Sequence, residues 1–283
     1  MTPNQKQFIY WIKERESIRF KKGKGDPHPW SDNPVMQETY FCNIDREDDK
    51  VTRWIRNNWD CTPENVNEFH IHMIIARVFN QPNTLQAIGE PWDKNLGSWL
   101  QEAHALLKRW EAKKAKIWNG AYIISTAGKK MSKLDYCFDM FIHAHSLPDL
   151  LDGVTTLKLA HSRLMQVNGL ASFLAAQVVA DLKRYDEHPL YWADDWFSFS
   201  APGPGSLRGL GWFWDTKVTN ASYEELIQTA YAQVKHHLPD SIIKKLDMQN
   251  FQNCFCEYDK FMRVTNKTGR SKRKYKYESN RSS

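Results

Sequence analysis

The chain has 283 residues, of which 39 are Lys or Arg and 33 are Asp or Glu, so its formal net charge is +6. Its 41% hydrophobic and 25% charged residues are typical of a globular protein and exclude an intrinsically disordered one. No stretch approaches the ~18 consecutive apolar residues of a membrane helix, and no signal peptide is evident, so we expect no membrane partner.

The cysteines indicate the redox compartment. Five of them are scattered along the chain. An odd, irregularly spaced set argues against a disulfide framework. We therefore expect a soluble intracellular protein in a reducing compartment. The five are Cys42, Cys61, Cys137, Cys254 and Cys256.

Apolar residues recur at helical spacing through most of the chain. An N-cap, a proline and an acid at 62–64, followed by an apolar stripe to Phe79, predict a first helix. A second stripe runs from Trp99 to Trp110, and the basic run 113–116 after it suits a helix C-terminus. Strand-like alternation is confined to short pieces such as 121–126, so we predict a mostly α protein. Further helices are predicted over 155–166, 172–183, 223–237 and 242–262, the last with an apolar stripe that suits the core.

Two segments rich in Gly, Pro and Trp, 21–34 and 189–211, interrupt these helices. Both contain large aromatic residues that seek burial, so we do not interpret them as flexible linkers. Past residue 262, eight basic residues face a single acid, Glu278. We predict one helical domain over 1–262 and a basic, flexible tail over 263–283, which either neutralises DNA phosphates or is a solvated end.

The segment LMQVNGLASFLAAQVVADL predicts two helices joined by a short glycine turn, a helix-hairpin-helix near 161–183. Such a turn presents backbone N–H groups at a helix N-terminus to a DNA phosphate. An ordinary αα-hairpin is the alternative. The candidate DNA contacts are Val167, Asn168, Gly169, Leu170 and Ser172.

About 25 residues beyond this turn, a Pro-bounded loop contains Asp194 and Asp195. The arrangement resembles the helix-hairpin-helix DNA glycosylases, which have a catalytic aspartate at a similar distance. The chain departs from them: Asn168 and Ala171 stand where Pro and Gly are usual, and the Schiff-base lysine of some members would fall near Phe173. The four-cysteine iron–sulfur motif of other members is missing. The resemblance implies a glycosylase-like helical fold with diverged chemistry.

A second cluster, CNIDREDDKVTRW at 42–54, mixes acids with arginines. Arginine guanidinium groups bind phosphate oxygens through two nitrogens, and carboxylates bind Mg²⁺ or accept a proton. The alternative is a surface salt-bridge network at a helix start. The candidates here are Arg46, Asp48, Asp49 and Arg53, with Arg15 and Arg19 upstream.

The stretch APGPGSLRGL at 201–210 predicts a loop. Its backbone, with Arg208, lines a phosphate-bearing site in one interpretation and makes only a tight turn in the other. No Walker A pattern, G-x-x-x-x-G-K-[ST], occurs in the chain, which disfavours a P-loop kinase.

Several polar residues interrupt otherwise apolar helical stretches. Gln177 and Lys260 are examples, and their role is either catalysis or structural pairing within the core. His70 and His72 are two apart in a predicted helix and so point in different directions. We therefore predict no metal site.

Six ordered segments together resemble a known family. They lie between about Ile9 and Val264 and read ERESIRFKKGKGDPHPWSDNP, YFCNIDREDDKVTRWIRNNW, NGAYIIST, LASFLAAQVVADLK, APGPGSLRGL and CFCEYDKFMRV. The chain resembles the α-glutamyl/putrescinyl thymine pyrophosphorylases, also described as phage amino acid:DNA transferases. That family is related to the helical domain of 5-hydroxymethyluracil DNA kinases.

The resemblance implies bacteriophage DNA hypermodification in the cytoplasm of the infected bacterial host. An amino acid or polyamine would displace pyrophosphate from 5-pyrophosphomethyl-deoxyuridine flipped out of double-stranded DNA, beside a 5-hydroxymethyluracil DNA kinase, with Mg²⁺ left open as a cofactor. The residues assigned on this basis are Asp48, Asp49, Asp194 and Asp195 for catalysis; Arg15, Arg19, Arg46, Arg53, Gln177, Arg208 and Lys260 for pyrophosphate and substrate; and, for DNA, the hairpin residues with Lys272, Arg273 and Lys274.

Two rival functions remain open. A DNA glycosylase acting on a modified base would use Asp194 or Asp195 to cleave the glycosidic bond. A non-catalytic, DNA-binding helical subunit would serve a 5-hydroxymethyluracil DNA kinase and would not depend on those carboxylates.

Overall fold

The structure is a computed structural model, and it describes residues 1–59, 69–90, 95–120, 122, 124–271 and 273–275. Within these ranges the chain forms thirteen α-helices and no β-strand, so the mostly α prediction is confirmed. No helix in the described part of the chain is both long and apolar enough to cross a bilayer. In chain order the helices are α1 (Pro3–Lys24), α2 (Pro34–Glu38), α3 (Lys50–Asn58), α4 (Phe69–Phe79), α5 (Pro82–Ile88), α6 (Leu96–Ala112), α7 (Lys133–His145), α8 (Leu157–Leu164), α9 (Ser172–Leu182), α10 (Pro204–Trp214), α11 (Asn220–Lys235), α12 (Asp240–Ile243) and α13 (Met248–Thr265).

The chain divides into two compact units. Unit 1 comprises Met1–Asp49 with Ser200–Ser283, and unit 2 comprises Lys50–Phe199. The two ends of the sequence therefore belong to one unit, and the middle forms the other. The predicted division into a domain over 1–262 and a tail stays a prediction.

Aromatic side chains fill the core of unit 1. Phe8 of α1 stacks on Phe255 of α13, with ring centroids 4.5 Å apart, and its edge meets Phe213 of α10 at 5.5 Å. Phe251 and Tyr258 of α13 contact the same ring. The predicted apolar stripe of this last helix is thus confirmed as core.

Helix α13 begins later than predicted. The sequence predicts one helix over 242–262, whereas the structure has α12 and then a separate α13 from Met248. The Asp247 side chain accepts a hydrogen bond from the Asn250 N–H at 2.8 Å, which makes Asp247 the N-cap of the new helix. A capping aspartate thus starts a second helix within the predicted one.

The prediction of a loop over 201–210 is wrong from Pro204 onward, because this segment is the start of α10. Gly205 and Gly209 lie one helical turn apart and face α13. A Cβ at Gly209 would overlap the backbone carbonyl of Phe255, and one at Gly205 would meet the Cys256 Sγ at 2.6 Å. These two glycines allow two helices to approach closely, since a larger residue does not fit between them.

Unit 2 is built around α4, all eleven residues of which are buried. This helix contacts both α7 and α9. The predicted helices over 155–166 and 172–183 are observed as α8 and α9 with slightly shorter bounds. Residues 60–68, the start of the first predicted helix, lie outside the described residues, and the described part of 121–126 forms no strand.

Candidate functional site

The predicted helical hairpin is present in unit 2 as α8, a turn and α9. Gly169 has φ +90°, a left-handed conformation that favours glycine, and a Cβ there would lie 3.0 Å from the Tyr136 Oη. Val167 and Leu170 are buried and anchor the turn from inside. The sequence reasoning therefore placed the turn correctly, while its DNA contacts stay a prediction.

Two N–H groups of the turn already have protein acceptors. Asn168 N–H donates to the His143 Nδ1 at 3.1 Å, and Leu170 N–H donates to the Val167 carbonyl at 3.0 Å. The N-cap residue of α9, Ala171, provides no side-chain cap. The first N–H groups of α9, beginning with Ser172, are among the donors with which this hairpin can meet a phosphate.

A basic side chain lies near the hairpin turn. Lys129 Nζ lies 5.5 Å from the ring centroid of Tyr136, the residue that contacts Gly169. This cation was not singled out in the sequence, and its positive charge suits contact with a phosphate backbone.

The two neighbouring aspartates have different environments. Asp195 accepts hydrogen bonds from the N–H groups of Leu157 at 2.6 Å and Lys158 at 2.9 Å, so its carboxylate caps the start of α8. Asp194 is exposed, and its own N–H donates to the Thr155 carbonyl at 3.4 Å. Of the two, Asp194 is the one whose carboxylate is not committed to a helix end.

A buried ion pair links α4 to α9. The Arg77 guanidinium meets the Asp181 carboxylate through two nitrogens, and both residues are almost fully buried. Arg77 also donates to the Thr52 hydroxyl at 3.1 Å. Gln177, one turn before the aspartate, accepts from the Tyr122 hydroxyl at 2.9 Å. These contacts favour structural pairing for this polar set; sequence reasoning missed Arg77, although it is a lone cation in an apolar helix.

The Arg15 side chain in unit 1 forms hydrogen bonds mainly with backbone carbonyl groups. Its guanidinium donates to the carbonyls of Cys42 and Asn43, the latter at 2.5 Å, and to the Cys254 Sγ at 3.4 Å. The residue is 4% exposed. This arginine therefore fastens the segment before the 3₁₀ turn Arg46–Asp48 onto α1 and α13.

Four charged side chains form an ion cluster on the same unit. Lys245 Nζ lies 2.9 Å from the Glu16 carboxylate and 2.8 Å from that of Asp48. Arg19 pairs with Glu16 at 2.7 Å and reaches Asp48 at 3.4 Å. Burial opposes ionisation of Glu16, but hydrogen bonds from Arg19 and Lys245 outweigh it and hold its pKa below the ordinary value. Sequence reasoning found Arg19 and Asp48 but missed Lys245, which lies far away in the chain.

This cluster borders a surface cavity of about 780 Å³ within unit 1. The lining combines three cations and one acid, Glu16, with histidines and a larger set of uncharged residues. Because Glu16 and Asp48 balance Arg19 and Lys245, the excess positive charge comes from Lys13, and it suits an anionic small ligand or group. The charged lining residues are Lys13, Glu16, Arg19 and Lys245, joined by His236 and His237, and the apolar wall includes Phe20.

The other predicted cations of unit 1 are paired. Lys260 bridges Glu257 and the Tyr40 carbonyl. Arg208 forms a two-nitrogen contact with the buried Asp259, and its side chain stays 54% exposed. Arg208 thus combines a fixed orientation with access to solvent.

The remaining candidate residues belong to different units. Arg46 begins the 3₁₀ turn of unit 1 and Asp49 follows it, and both residues are half-buried. Arg53 is exposed on α3 of unit 2. The cluster read from the sequence at 42–54 therefore spans the end of one unit and the start of the other.

The described part of the basic tail is held to unit 1. The Arg273 carbonyl accepts a hydrogen bond from the Tyr40 N–H at 3.2 Å, and Lys274 Nζ pairs with Glu38 at 2.8 Å. The Lys274 side chain is 69% exposed. Lys272 lies outside the described residues, and DNA contact by this segment stays a prediction.

The described ranges hold no group of three His, Cys, Asp or Glu side chains arranged to bind a metal ion. His70 and His72 are buried within α4. Burial, reinforced by the charge of His70, lowers the pKa of His72 to about 3. This imidazole is therefore neutral at physiological pH.

Comparison with known proteins identifies related chains. Residues 2–271 match the family model described as 5-hmdU DNA kinase, helical domain. The chain is also similar to the 5-hmdU DNA kinase of Bacillus phage SP10, with 21% identity over 282 residues that cover 89% of this chain. It spans 44% of that protein's length. No solved structure matches the chain.

Proposed function

Because this chain belongs to the family of the helical domain of 5-hmdU DNA kinase and is thereby related to phage thymidine hypermodification, we propose that it modifies DNA by amine transfer. Its substrate is a 5-pyrophosphomethyl-deoxyuridine in double-stranded DNA. Its second substrate is an amino acid or polyamine. The finer activity rests on the residues described above and on the resemblance of the six sequence segments.

The proposed reaction is a substitution at the methylene carbon on C5 of the uracil ring. The carbon–oxygen bond to pyrophosphate breaks, a carbon–nitrogen bond to the amine forms, and one proton leaves the nitrogen. Pyrophosphate departs with the electron pair of the broken bond. Two demands on the protein follow, since the leaving group needs cations and the amine needs a proton acceptor.

The cation-lined cavity of unit 1 is the observation that carries this proposal. Arg19 and Lys245 are fixed by Glu16 and Asp48, so their charges are oriented before a ligand arrives. Preorganised cations stabilise a developing pyrophosphate charge without reorganisation at the moment of reaction. We assign the phosphates of the substrate to this surface, with Lys13 as a further contact.

The proton acceptor is a carboxylate. Asp48 is held by Lys245, and Asp195 accepts two backbone N–H groups, so each gives up existing bonds if it takes a proton. We assign the general base to Asp49, because it directly follows Asp48 at the 3₁₀ turn of the unit that holds the cavity. Asp194 and Asp195 belong to unit 2 and remain the candidates for the rival glycosylase reaction.

The test is nucleoside mass analysis of DNA that contains 5-pyrophosphomethyluracil, after incubation with the full chain and a panel of amino acids and polyamines. A new nucleoside with the mass of one amine, together with released pyrophosphate, is the expected result. Loss of the free base would support a glycosylase instead. Unchanged nucleosides would contradict the transfer reaction.

A matched pair of variants links the reaction to the cavity. Lys245→Ala removes the cation that bridges Glu16 and Asp48, while Lys244→Ala removes an exposed neighbouring lysine. We expect the first to reduce kcat/KM for the pyrophosphorylated DNA by about 10²-fold, because one charge contact to the transition state is lost. The second is expected to leave it unchanged. Equal effects would contradict the assignment of the cavity.

A second candidate function is favoured by the description of the matching family as a domain of a kinase. In this alternative the chain is a DNA-binding module that serves a 5-hmdU DNA kinase. It predicts that the chain raises the kinase's affinity for DNA that contains 5-hydroxymethyluracil without forming a new nucleoside. Measuring kinase KM for DNA with and without the chain distinguishes it from the transferase.

A further inference from the structure

Two aromatic side chains of unit 2 are unusually open to solvent. Trp192 is 76% exposed and Phe197 is 73% exposed, more than any other large apolar residue in the described ranges. Tyr191 packs against Trp192 with ring centroids 5.0 Å apart and is itself 39% exposed. Aromatic side chains that the fold holds open to solvent are candidates for an interaction surface, because burying them against a partner removes apolar area from water.

The fold does maintain it. Between these two aromatics, Trp196 donates its indole N–H to the Lys183 carbonyl at 2.9 Å, and the Lys183 ammonium returns a bond to the Trp196 carbonyl at 3.1 Å. Asp195 is fastened to the start of α8. Buried Leu190 anchors the 3₁₀ turn Pro189–Trp192, whose last residue is Trp192. Because the neighbouring residues are anchored, the loop holds Trp192 and Phe197 outward.

We propose that Trp192 and Phe197 bind DNA by stacking on nucleobases, an inference that rests on the DNA-acting part of the proposed function. An aromatic ring stacks on the face of any unstacked base, such as one exposed when a nucleotide is flipped out of the duplex, and this contact removes water from both apolar surfaces. The pair supplies the apolar half of a DNA interface. The hairpin described above supplies the half that meets phosphates.

The loop carries charges of both signs. Asp186, Glu187 and Asp194 are exposed acids close to the aromatics in sequence, while the Arg184 guanidinium lies 4.6 Å from the Trp196 ring centroid. At the other end of α8 the hairpin turn has Lys129 beside it. Eight helical residues span about 12 Å at 1.5 Å per residue, so the two ends of α8 are separated by three to four base steps.

The experiment measures binding of a fluorescein-labelled duplex with one 5-hydroxymethyluracil, by anisotropy at several salt concentrations. The test variant of the full chain is Trp192→Ala with Phe197→Ala. Tyr10→Ala, which removes an aromatic that is 46% exposed on α1, is the matched control. Thermal unfolding of each protein checks that the exposed substitutions leave the fold intact.

We expect the double variant to raise Kd by about 5- to 150-fold per lost base contact, with the same slope of log Kd against log salt as the unaltered chain. The control is expected to match the unaltered chain. A 2-aminopurine placed beside the modified base gives an independent readout, because its fluorescence falls when an aromatic side chain stacks on it. That quenching is expected to disappear in the double variant.

Several results would overturn the proposal. If the Kd of the double variant is within twofold of that of the unaltered chain, Trp192 and Phe197 make no base contacts. A flatter slope of log Kd against log salt would mean that phosphate contacts were lost instead. A change of oligomeric state in size-exclusion chromatography with unchanged DNA affinity would make this surface an interface between copies. If the unaltered chain itself fails to bind the duplex, this proposal and the proposed function both fall; if it binds and forms product, only this proposal is at stake.

Discussion

Asp194 and Asp195 are adjacent in sequence and offer a sharp comparison, because only Asp195 caps a helix. Its two carboxylate oxygens accept the N–H groups of Leu157 and Lys158, two of the donors that the start of α8 leaves without intrahelical partners. Asp195→Ala removes both acceptors and a negative charge at the positive end of the helix dipole. The capping contribution is about 0.5–2 kcal/mol, and the charge adds about 0.3–1 kcal/mol. We therefore expect a loss of about 2 kcal/mol of unfolding free energy.

Urea titration followed by circular dichroism, with thermal melting beside it, measures this loss. A decrease of about 2 kcal/mol corresponds to a melting temperature lower by roughly 4–8 °C for a domain of this size. Asp194→Ala, at the exposed neighbour, is expected to change stability by less than about 0.5 kcal/mol. If Asp194 is instead the catalytic carboxylate of a glycosylase, the activity order is reversed, since base release then falls most in the more stable variant.

The capping argument fails if Asp195→Ala unfolds at the same urea concentration as the unaltered chain. It also fails if Asp195→Asn, which keeps one oxygen acceptor, is no more stable than the alanine variant. Equal destabilisation by Asp194→Ala and Asp195→Ala would mean that the loop responds as a whole, and the comparison would then say nothing specific about α8.

Three further predictions concern stability. Gly209→Ala forces a Cβ into the Phe255 carbonyl, so we expect a loss of more than about 3 kcal/mol in urea titration, and wild-type stability would contradict the close approach of α10 and α13. Arg77→Met leaves the Asp181 carboxylate buried without its main partner, and a loss of about 3–5 kcal/mol is expected; adding Asp181→Leu should recover much of it, whereas additive losses would refute the pairing. Burial lowers the pKa of His72 to about 3 and that of His188 to about 4, from 6.5. The unfolded chain therefore binds protons that the folded chain does not, and unfolding free energy should fall as pH drops from about 6.5 towards 4; a flat profile in the double variant His72→Gln with His188→Gln, against a sloping one in the unaltered chain, would support this assignment.

Local patterns in the sequence were sufficient to place the two helices of the hairpin. Its turn requires a positive φ at Gly169 and a helix start at Ser172, which are local features, and contact with Tyr136 adds a tertiary reason for the glycine. The apolar stripe of α13 was also sufficient to place Phe251 and Phe255 in the core.

Helices that depend on contacts with a distant part of the chain could not be predicted from local sequence. The stretch 201–210 looks like a Gly-Pro loop, and only its contact with α13 explains why Gly205 and Gly209 belong to a helix. A glycine that permits a turn and a glycine that permits close helix contact have the same sequence appearance. Propensity alone therefore predicted the wrong element.

The residues of the candidate site were likewise predicted only in part from the sequence. Sequence composition singled out Arg19 and Asp48 because charges are dense around them, and the tertiary structure added Lys245, almost two hundred residues away, as the cation that joins Glu16 to Asp48. Likewise the adjacent aspartates Asp194 and Asp195 are chemically identical in sequence. Their roles differ because only one of them meets the N–H groups of α8. The sequence by itself determined which residue types are available and located helices such as α8, α9 and α11, whereas α1, α7 and α10 were not predicted. The distances that turn those residues into a cap, an ion cluster or an exposed aromatic pair depend on long-range contacts and were decided by the fold.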